Sequence, residues 1–294
     1  MTTELAFIDA LRKLAQHPAA RGLDDDCAVL EIGGEALVLT HDAMVEGVHF
    51  LAGQDPADIA WKLVAVNMSD LAAKGAEPLG VLLGYMFAGD DARFLAGLAE
   101  ALAAFGAPLL GGDTVSNRGP QVLGLTAIGR ATHRPVPSRG GARPGDGLWI
   151  TGPVGAAMLG LEALRGSGRT GTGGSLAYRR PRALLTEGRA LAPHVTAMMD
   201  VSDGLLLDAA RMARASGVTL AIDSAAVPLA TPEDRRAEAL RWGEDYQLLF
   251  TAPPVFRPPV TAFQIGQGMP MQDAPLLLDG QPLDERDRLG YEHR

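Results

Sequence analysis

The sequence predicts an α/β protein (α+β, with mixed sheets) built as two domains of similar size. Its 294 residues exceed the roughly 150 expected of a single domain. Helix-period and strand-period apolar patterns alternate in both halves, with gaps often longer than a minimal parallel unit requires. Between the halves, the stretch from His133 to Gly147 carries Pro135, Pro137, Pro144 and four glycines before a new strand begins. This punctuation places a boundary that gives an N-terminal domain over 1–145 and a C-terminal domain over 146–294.

The first helix is expected over residues 3–16, where Leu5, Ile8, Leu11 and Leu14 recur at helical spacing and His17-Pro18 closes the segment. Cys27 to Ile32 and Ala36 to Thr40, separated by Gly33-Gly34, predict a hairpin. Pro56 to Lys74 predicts a helix with Ile59, Leu63, Val66 and Leu71 on its apolar face and Gly75 in the stop position. A strand over 79–87, a helix over 91–105, a short strand over 108–110 ending at Gly111-Gly112, and a strand over 122–128 complete the first half. The second half continues with a strand over 148–151, a helix over 156–164, a polar segment over 165–175 and a helix over 182–191. A strand over 195–199, a helix over 204–215, strands over 218–222 and 247–251, and short final strands follow.

Acids outnumber bases 35 to 26, for a formal charge of −9, which opposes binding to nucleic acid or an anionic membrane surface. A phosphate-handling protein of this sign needs metal ions. No apolar run reaches the roughly 18 residues of a membrane span. Glu4 and Asp9 stand where a secretory leader would be basic, and the single Cys27 has no intrachain partner, so a cytoplasmic location is expected. Only three of the 26 basic residues are lysines, Lys13, Lys62 and Lys74, a skew that coding bias explains.

The excess acid sits at turns and element ends. Asp25-Asp26 precedes the first strand, Asp42 closes the second, Asp70 lies near a helix end, Asp113 follows a diglycine, and Asp200 and Asp203 flank Ser202 where a strand passes into a helix. Aspartate favours turns and caps in any protein. Five such segments together also supply what a hard cation shared with phosphates requires. Asp200-Val201-Ser202-Asp203-Gly204 is the most informative, because backbone N–H groups and Ser202 can face an anion while the carboxylates hold its metal. Gly243-Glu244-Asp245-Tyr246 places two acids beside a tyrosine, suited to a cationic or polar organic group, or to a solvated turn. Gly166 to Gly171 fits the dinucleotide pattern but follows no strand and reads as a flexible loop. No Walker motif occurs. Cys27 reads as a small buried residue.

Six ordered segments, Asp25 to Ala28, Thr40 to Phe50, Asn67 to Ala72, Gly111 to Thr114, Asp200 to Gly204 and Gly243 to Leu248, resemble those of the thiamine-monophosphate kinase family. That family lies within the superfamily of aminoimidazole ribonucleotide synthetase. The resemblance spans nearly the whole chain and implies the corresponding two-domain fold, an N-terminal domain that forms a homodimer through its sheet, and a cleft between domains. It implies that Asp26, Thr40, His41, Asp42, Asp70, Asp113, Asp200 and Asp203 surround several Mg2+ ions. His41 stands where Thr or Ser is usual. Gly112, Asp113, Arg139 and Ser202 would contact ATP, and His49, Glu244 and Tyr291 would contact thiamine monophosphate. Asp24 replaces a usual Gly, Leu95 an aromatic beside the nucleotide, and Gln247 a usual Glu.

The activity so implied is direct transfer of the γ-phosphoryl group of ATP to the phosphate of thiamine monophosphate, giving thiamine diphosphate and ADP. A phosphate acceptor is already nucleophilic at neutral pH, so no dedicated catalytic base is expected. The rival readings are another ATP-dependent synthetase of the superfamily or a noncatalytic relative that binds metal or nucleotide. A selenophosphate synthetase normally carries a reactive cysteine or selenocysteine in a glycine-rich N-terminal segment with a nearby lysine, which is absent here.

Overall fold

The computed structural model describes residues 4–166, 172–284 and 287–292. It is a mixed α/β protein of two domains, each with its own sheet and core. Most of the flexible loop expected over Gly166–Gly171 lies outside the described residues.

After α1 (Glu4–Arg12) come β1 (Ala28–Ile32), β2 (Glu35–Val45), α2 (Pro56–Ala73), β3 (Ala76–Met86), α3 (Asp91–Phe105), β4 (Leu109–Val115) and β5 (Val122–Ala131). Gly33 and Gly34 both take positive φ, the two-residue turn that joins twisted antiparallel strands, and Ile32 pairs with Glu35 across it. The sheet order is β1-β2-β5-β3-β4, antiparallel except for β3 and β4, which the α3 crossover makes parallel. Asp55 caps α2 by accepting from Ala57 N, with Pro56 in the first turn, and Gly106 ends α3 in the left-handed conformation. Leu63, Met68 and Leu71 of α2 pack on Val38, Leu123 and Leu125 of one sheet face. The other face is open.

The second domain contains β6 (Gly147–Ile150), α4 (Ala156–Leu164), α5 (Leu176–Arg179), α6 (Leu185–Leu191), β7 (Ala197–Asp200) and α7 (Leu205–Ser216). It continues with β8 (Val218–Ile222), α8 (Arg236–Ala239), β9 (Leu248–Ala252), β10 (Phe263–Pro270), β11 (Leu276–Leu278) and β12 (Gln281–Leu283). Its sheet runs β12-β11-β8-β10-β6-β9-β7, with β8 and β11 parallel. Leu206, Ala210 and Ala213 of α7 are fully buried against it. Among the described residues no helix is long and apolar enough to cross a membrane.

Helix α1 ends at Arg12 and α6 begins at Leu185, each shorter than expected, α5 and α8 were not expected, and three strands depart because of their pairing. Strand β2 does not stop at Thr40; its ladder with β5 continues from Asp42–Leu125 to Val45–Val122, so Asp42 sits inside a strand. Strand β4 passes through Gly111-Gly112 rather than ending there. A Cβ on Gly112 would lie 2.0 Å from Leu83 O, so glycine here permits close pairing with β3 instead of breaking the strand. Strand β10 has eight residues where short strands were expected, because it pairs with both β6 and β8.

Candidate active site

Helix α2 assembles the site, since the polar residues of its Asn67-Met68-Ser69-Asp70 segment reach two strands, β2 in its own domain and β7 in the other. The Asn67 side chain donates to Leu63 O (2.9 Å) and accepts the backbone N–H of Asp42 (3.1 Å). Ser69 donates to Asp200 Oδ2 at 2.5 Å, at the end of β7 in the other domain. Asp70 accepts the hydroxyl of Thr40. Successive side chains on a strand alternate faces, so Thr40 and Asp42 share the face of β2 that α2 covers. Asp26, Asp70 and Asp200 each offer an oxygen within 4.8 Å of the others.

These acids fall into two electrostatic sets. Burial by itself would raise Asp26, but Arg139 and Lys74 hold its carboxyl well below the usual range. Asp25 is likewise lowered against the effect of burial, chiefly by Lys74. Lys74 Nζ is fully buried between Asp25 (2.5 Å) and Asp26 (2.7 Å). In the other set, burial and the neighbouring carboxylates push Asp70 and Asp200 far upward. Burial, with Asp26 and Asp203 nearby, raises Asp42 to about 6. Among the described residues no basic side chain pairs with Asp42, Asp70 or Asp200. Buried carboxylates of like charge without a counter-ion are costly. The donors are carboxylate and hydroxyl oxygens, with no imidazole or thiolate, and this set fits a hard divalent cation such as Mg2+.

Asp42, Asp70 and Asp200 form one wall of a cavity of about 830 Å³, completed by Ser202 and Asp203 and faced by His49, Lys62, Tyr178, Glu244 and Tyr291. Lys62 is the hub of the facing wall. It is buried, donates to Glu244 Oε1 (2.6 Å) and His49 O (2.8 Å), and lies 3.8 Å from the centre of the Tyr178 ring. Tyr178 donates to the same His49 carbonyl at 3.1 Å. The His49 ring is anchored by Val45 N–H, which donates to Nδ1. Burial raises Glu244 and lowers Lys62, each opposed by the other's charge.

Two backbone segments converge on the segment after β7. Glu244 N donates to Ser202 O (2.7 Å), and Tyr291 N donates to Asp203 O (2.9 Å). A Cβ on Gly243 would lie 2.3 Å from Ser202 O, so glycine sets this approach. The N–H of Asp203 donates within the fold, to Asp208 Oδ2 (3.0 Å), and Arg211 bridges the Asp203 and Asp208 carboxylates. Asp245 caps α4 instead of facing the cavity, accepting from Gly155 N (2.6 Å) and Ala157 N (3.2 Å).

The structure therefore brings together Asp42, Asp70, Asp200, Ser202 and Asp203 on one wall and His49, Glu244 and Tyr291 on the other, with Asp26 beside Asp70 and Asp200, and Thr40 on Asp70, behind the cavity lining. Arg139 stands behind the first wall, its guanidinium on Asp26 and its Nε buried without a partner among the described residues. The His41 ring lies on the opposite face of β2, bonded to Thr126 Oγ1 at 2.8 Å. Gly112 and Asp113 are on β4, three strands from β2. Asp113 is exposed on the open face, in register with Gly84, Gly124 and Ala43. Leu95 is exposed on α3 and does not line the cavity. Asp24 pairs with Arg12, and Gln247 accepts from Thr151 Oγ1. Sequence reasoning missed Lys62, Lys74, Tyr178, Asp208 and Arg211. The scarcity of lysine was the available signal, since two of the chain's three lysines are buried in this site.

Comparison with known proteins gives the same picture from outside. The model of the AIR synthase related protein N-terminal domain matches residues 24–131, and that of the AIR synthase related protein C-terminal domain matches residues 143–262. The chain is similar to the thiamine-monophosphate kinase of Caulobacter vibrioides, at 41% identity over 83% of this chain and 75% of that protein. It superposes on AaThiL complexed with AMPPCP and TMP with a TM-score of 0.89, 29% identity, and coverage of 99% of this chain and 97% of that one. For the thiamine-monophosphate kinase of Stenotrophomonas maltophilia the TM-score is 0.77, at 31% identity with 95% and 96% covered.

Proposed function

The chain belongs to the thiamine-monophosphate kinases of the AIR synthase related family, ATP-dependent kinases, and from that premise we propose how its own residues carry out the transfer. The reaction is direct, in line, from the γ-phosphate of ATP to the phosphate of thiamine monophosphate, giving thiamine diphosphate and ADP. The observation that carries this reading is the desolvated set Asp42, Asp70 and Asp200, each raised above the ordinary carboxylate range. Among the described residues these carboxylates have no basic partner, and they face, across one cavity, the Lys62–Glu244 pair.

Asp26, Asp42, Asp70, Asp200 and Asp203, with Thr40, would hold several Mg2+ ions. Ions held there would supply positive charge between the triphosphate and the acceptor phosphate and so lower the repulsion between two anions. Thr40, Ser69 and Asn67 fix the directions of Asp70 and Asp200 and the strand position of Asp42, so the carboxylates need not reorganise when the ions arrive. Ser202 and Arg139 lie on the side assigned to ATP. Glu244, oriented by Lys62, faces the cationic ring of thiamine monophosphate, and His49 and Tyr291 border the same space. No side chain needs to remove a proton, because the acceptor oxygen is already anionic; positioning and electrostatics supply the rate.

The same reading divides the chain near residue 145, with the cleft between the halves, and makes the protein a homodimer. The open face of the first sheet supports the dimer: Leu82, Leu110, Val115 and Val122 are each 40–56% exposed on it, an apolar patch that a monomer rarely leaves bare. A second copy also offers the route by which Gly112 and Asp113, on that face, could reach a metal and ATP site. The test is ADP release coupled to thiamine monophosphate. Release that requires both thiamine monophosphate and Mg2+ is expected. ADP formed equally without the acceptor, or without a divalent cation, would overturn the assignment.

A further inference from the structure

Asp203 is held in three ways that its neighbours do not share. Its N–H donates to Asp208 Oδ2 at 3.0 Å, its carbonyl accepts from Tyr291 N–H at 2.9 Å, and its carboxylate is bound by Arg211 at 2.5 Å. Asp208 is fully buried in the first turn of α7, and its second oxygen lies 3.0 Å from the same Arg211 nitrogen. A Cβ on Gly290 would lie 2.3 Å from Asp203 O, so the C-terminal segment also presses on this peptide. The backbone of Asp203 is thus fixed from both sides without Arg211. Only the carboxylate depends on it.

That carboxylate lines the cavity, whereas Arg211 reaches it from α7 without lining the cavity itself. The geometry points to Arg211 as a cation placeholder: its guanidinium holds the Asp203 carboxylate before a divalent cation binds and yields it to that cation, remaining on Asp208. Asp208 is the post that makes the exchange possible, because it keeps a counter-ion for Arg211 after Asp203 is taken. A positive charge fixed on a metal-binding carboxylate lowers its affinity for a second cation. A purely structural arginine, in contrast, would raise that affinity by orienting the ligand. The two roles predict opposite signs. Arg211 is a positioning residue in this scheme, and the inference rests on the reading that Asp203 takes a divalent cation.

The experiment is Mn2+ binding to the nucleotide-free protein, followed by electron paramagnetic resonance of the free ion, for the unaltered chain and for Arg211→Gln, Arg211→Lys and Asp203→Asn. Arg211→Gln is expected to bind Mn2+ about five-fold more tightly or better, given the size of a nearby unit charge. Arg211→Lys, which keeps a charge on Asp208 but reaches less far, should fall between the two and carries the test if the glutamine variant does not fold. Affinity unchanged or weakened in every foldable Arg211 variant would overturn the placeholder role. If Asp203→Asn binds as much Mn2+ as the unaltered chain, the cation assignment of Asp203 itself fails, which is a separate result.

Discussion

At the residue scale, the site is defined by how few of its acids have bases. Lys74 and Arg139 satisfy Asp25 and Asp26, while the half-buried Asp42 and Asp70 and the buried Asp200 have no basic partner among the described residues. The Asp42 carboxyl stands at about 6 against an ordinary value of 3.8, so between these limits the folded chain binds more protons than the unfolded chain. Stability of the metal-free protein therefore falls as pH rises through that window, and Asp70 and Asp200, raised further, act in the same sense. Asp25 and Asp26 are shifted downward and matter only in stronger acid. In EDTA the melting temperature should drop from pH 5 to pH 7.5, and Mg2+ should recover it most at the higher pH; a melting temperature that rises with pH in EDTA would contradict this. On the other wall, Lys62→Met leaves Glu244 buried without its counter-ion. The KM for thiamine monophosphate should rise by roughly tenfold or more, the usual consequence of breaking a buried charge pair, with the KM for ATP little changed. Equal increases for both substrates would mean that Lys62 does not act through the acceptor pocket.

At the element scale, α2 joins the domains. Its Lys62, Ser69 and Lys74 bond to Glu244, Asp200 and Met198 O of the second domain, and α6 packs on its end with Gly188 against Ala72. A Cβ there would lie 2.0 Å from Ala72 O, so Gly188→Ala must push α6 away from α2. A loss of about 1–3 kcal/mol is expected from such overpacking, read as a melting temperature lower by several degrees; an unchanged melt would show that the interface yields freely. Much of this element structure is legible in the sequence. The helix over 56–74 with its stop at Gly75, the Gly33-Gly34 turn and the helices expected over 91–105 and 156–164 lie close to those observed. What was not legible depends on pairing and tertiary contact. The extension of β2 past Thr40 is set by β5, eighty residues on, and passage of β4 through a diglycine is set by the approach of Leu83. The acids of the site were visible as motifs, but their sorting into paired and unpaired sets was not. That sorting depends on Lys74 and Arg139, which lie far from Asp26 in sequence and announce nothing by local pattern. Asp245 shows the reverse case, an acid in a suggestive motif whose work is to cap a helix.

At the scale of the whole molecule, the open face of the first sheet and the position of Asp113 bear on one question. Along the ladder Asp113–Gly84–Gly124–Ala43, three steps of about 4.8 Å separate Asp113 from β2. Alternation also puts its side chain on the face opposite to Asp42. Within one chain it stands apart from the Asp26–Asp70–Asp200 cluster. If Asp113 serves the transfer, it does so from a second copy seated on the apolar open face, in a pairing that two-fold symmetry makes reciprocal. Reciprocity gives a sharp test. Asp42→Asn disables the cluster of its own chain and Asp113→Asn disables its contribution to the partner, so each variant alone should be nearly inactive. In a mixed dimer, one site then carries both defects and the other carries neither. Co-refolding equal amounts makes half of the dimers mixed, and about a quarter of the unaltered activity should return. No recovery in a mixture shown by sedimentation to contain mixed dimers would place Asp113 in service of its own chain, or out of the reaction. Leu110→Arg, which charges the open face without touching either acid, should yield monomers and abolish turnover together. Active monomers would remove the partner from the site.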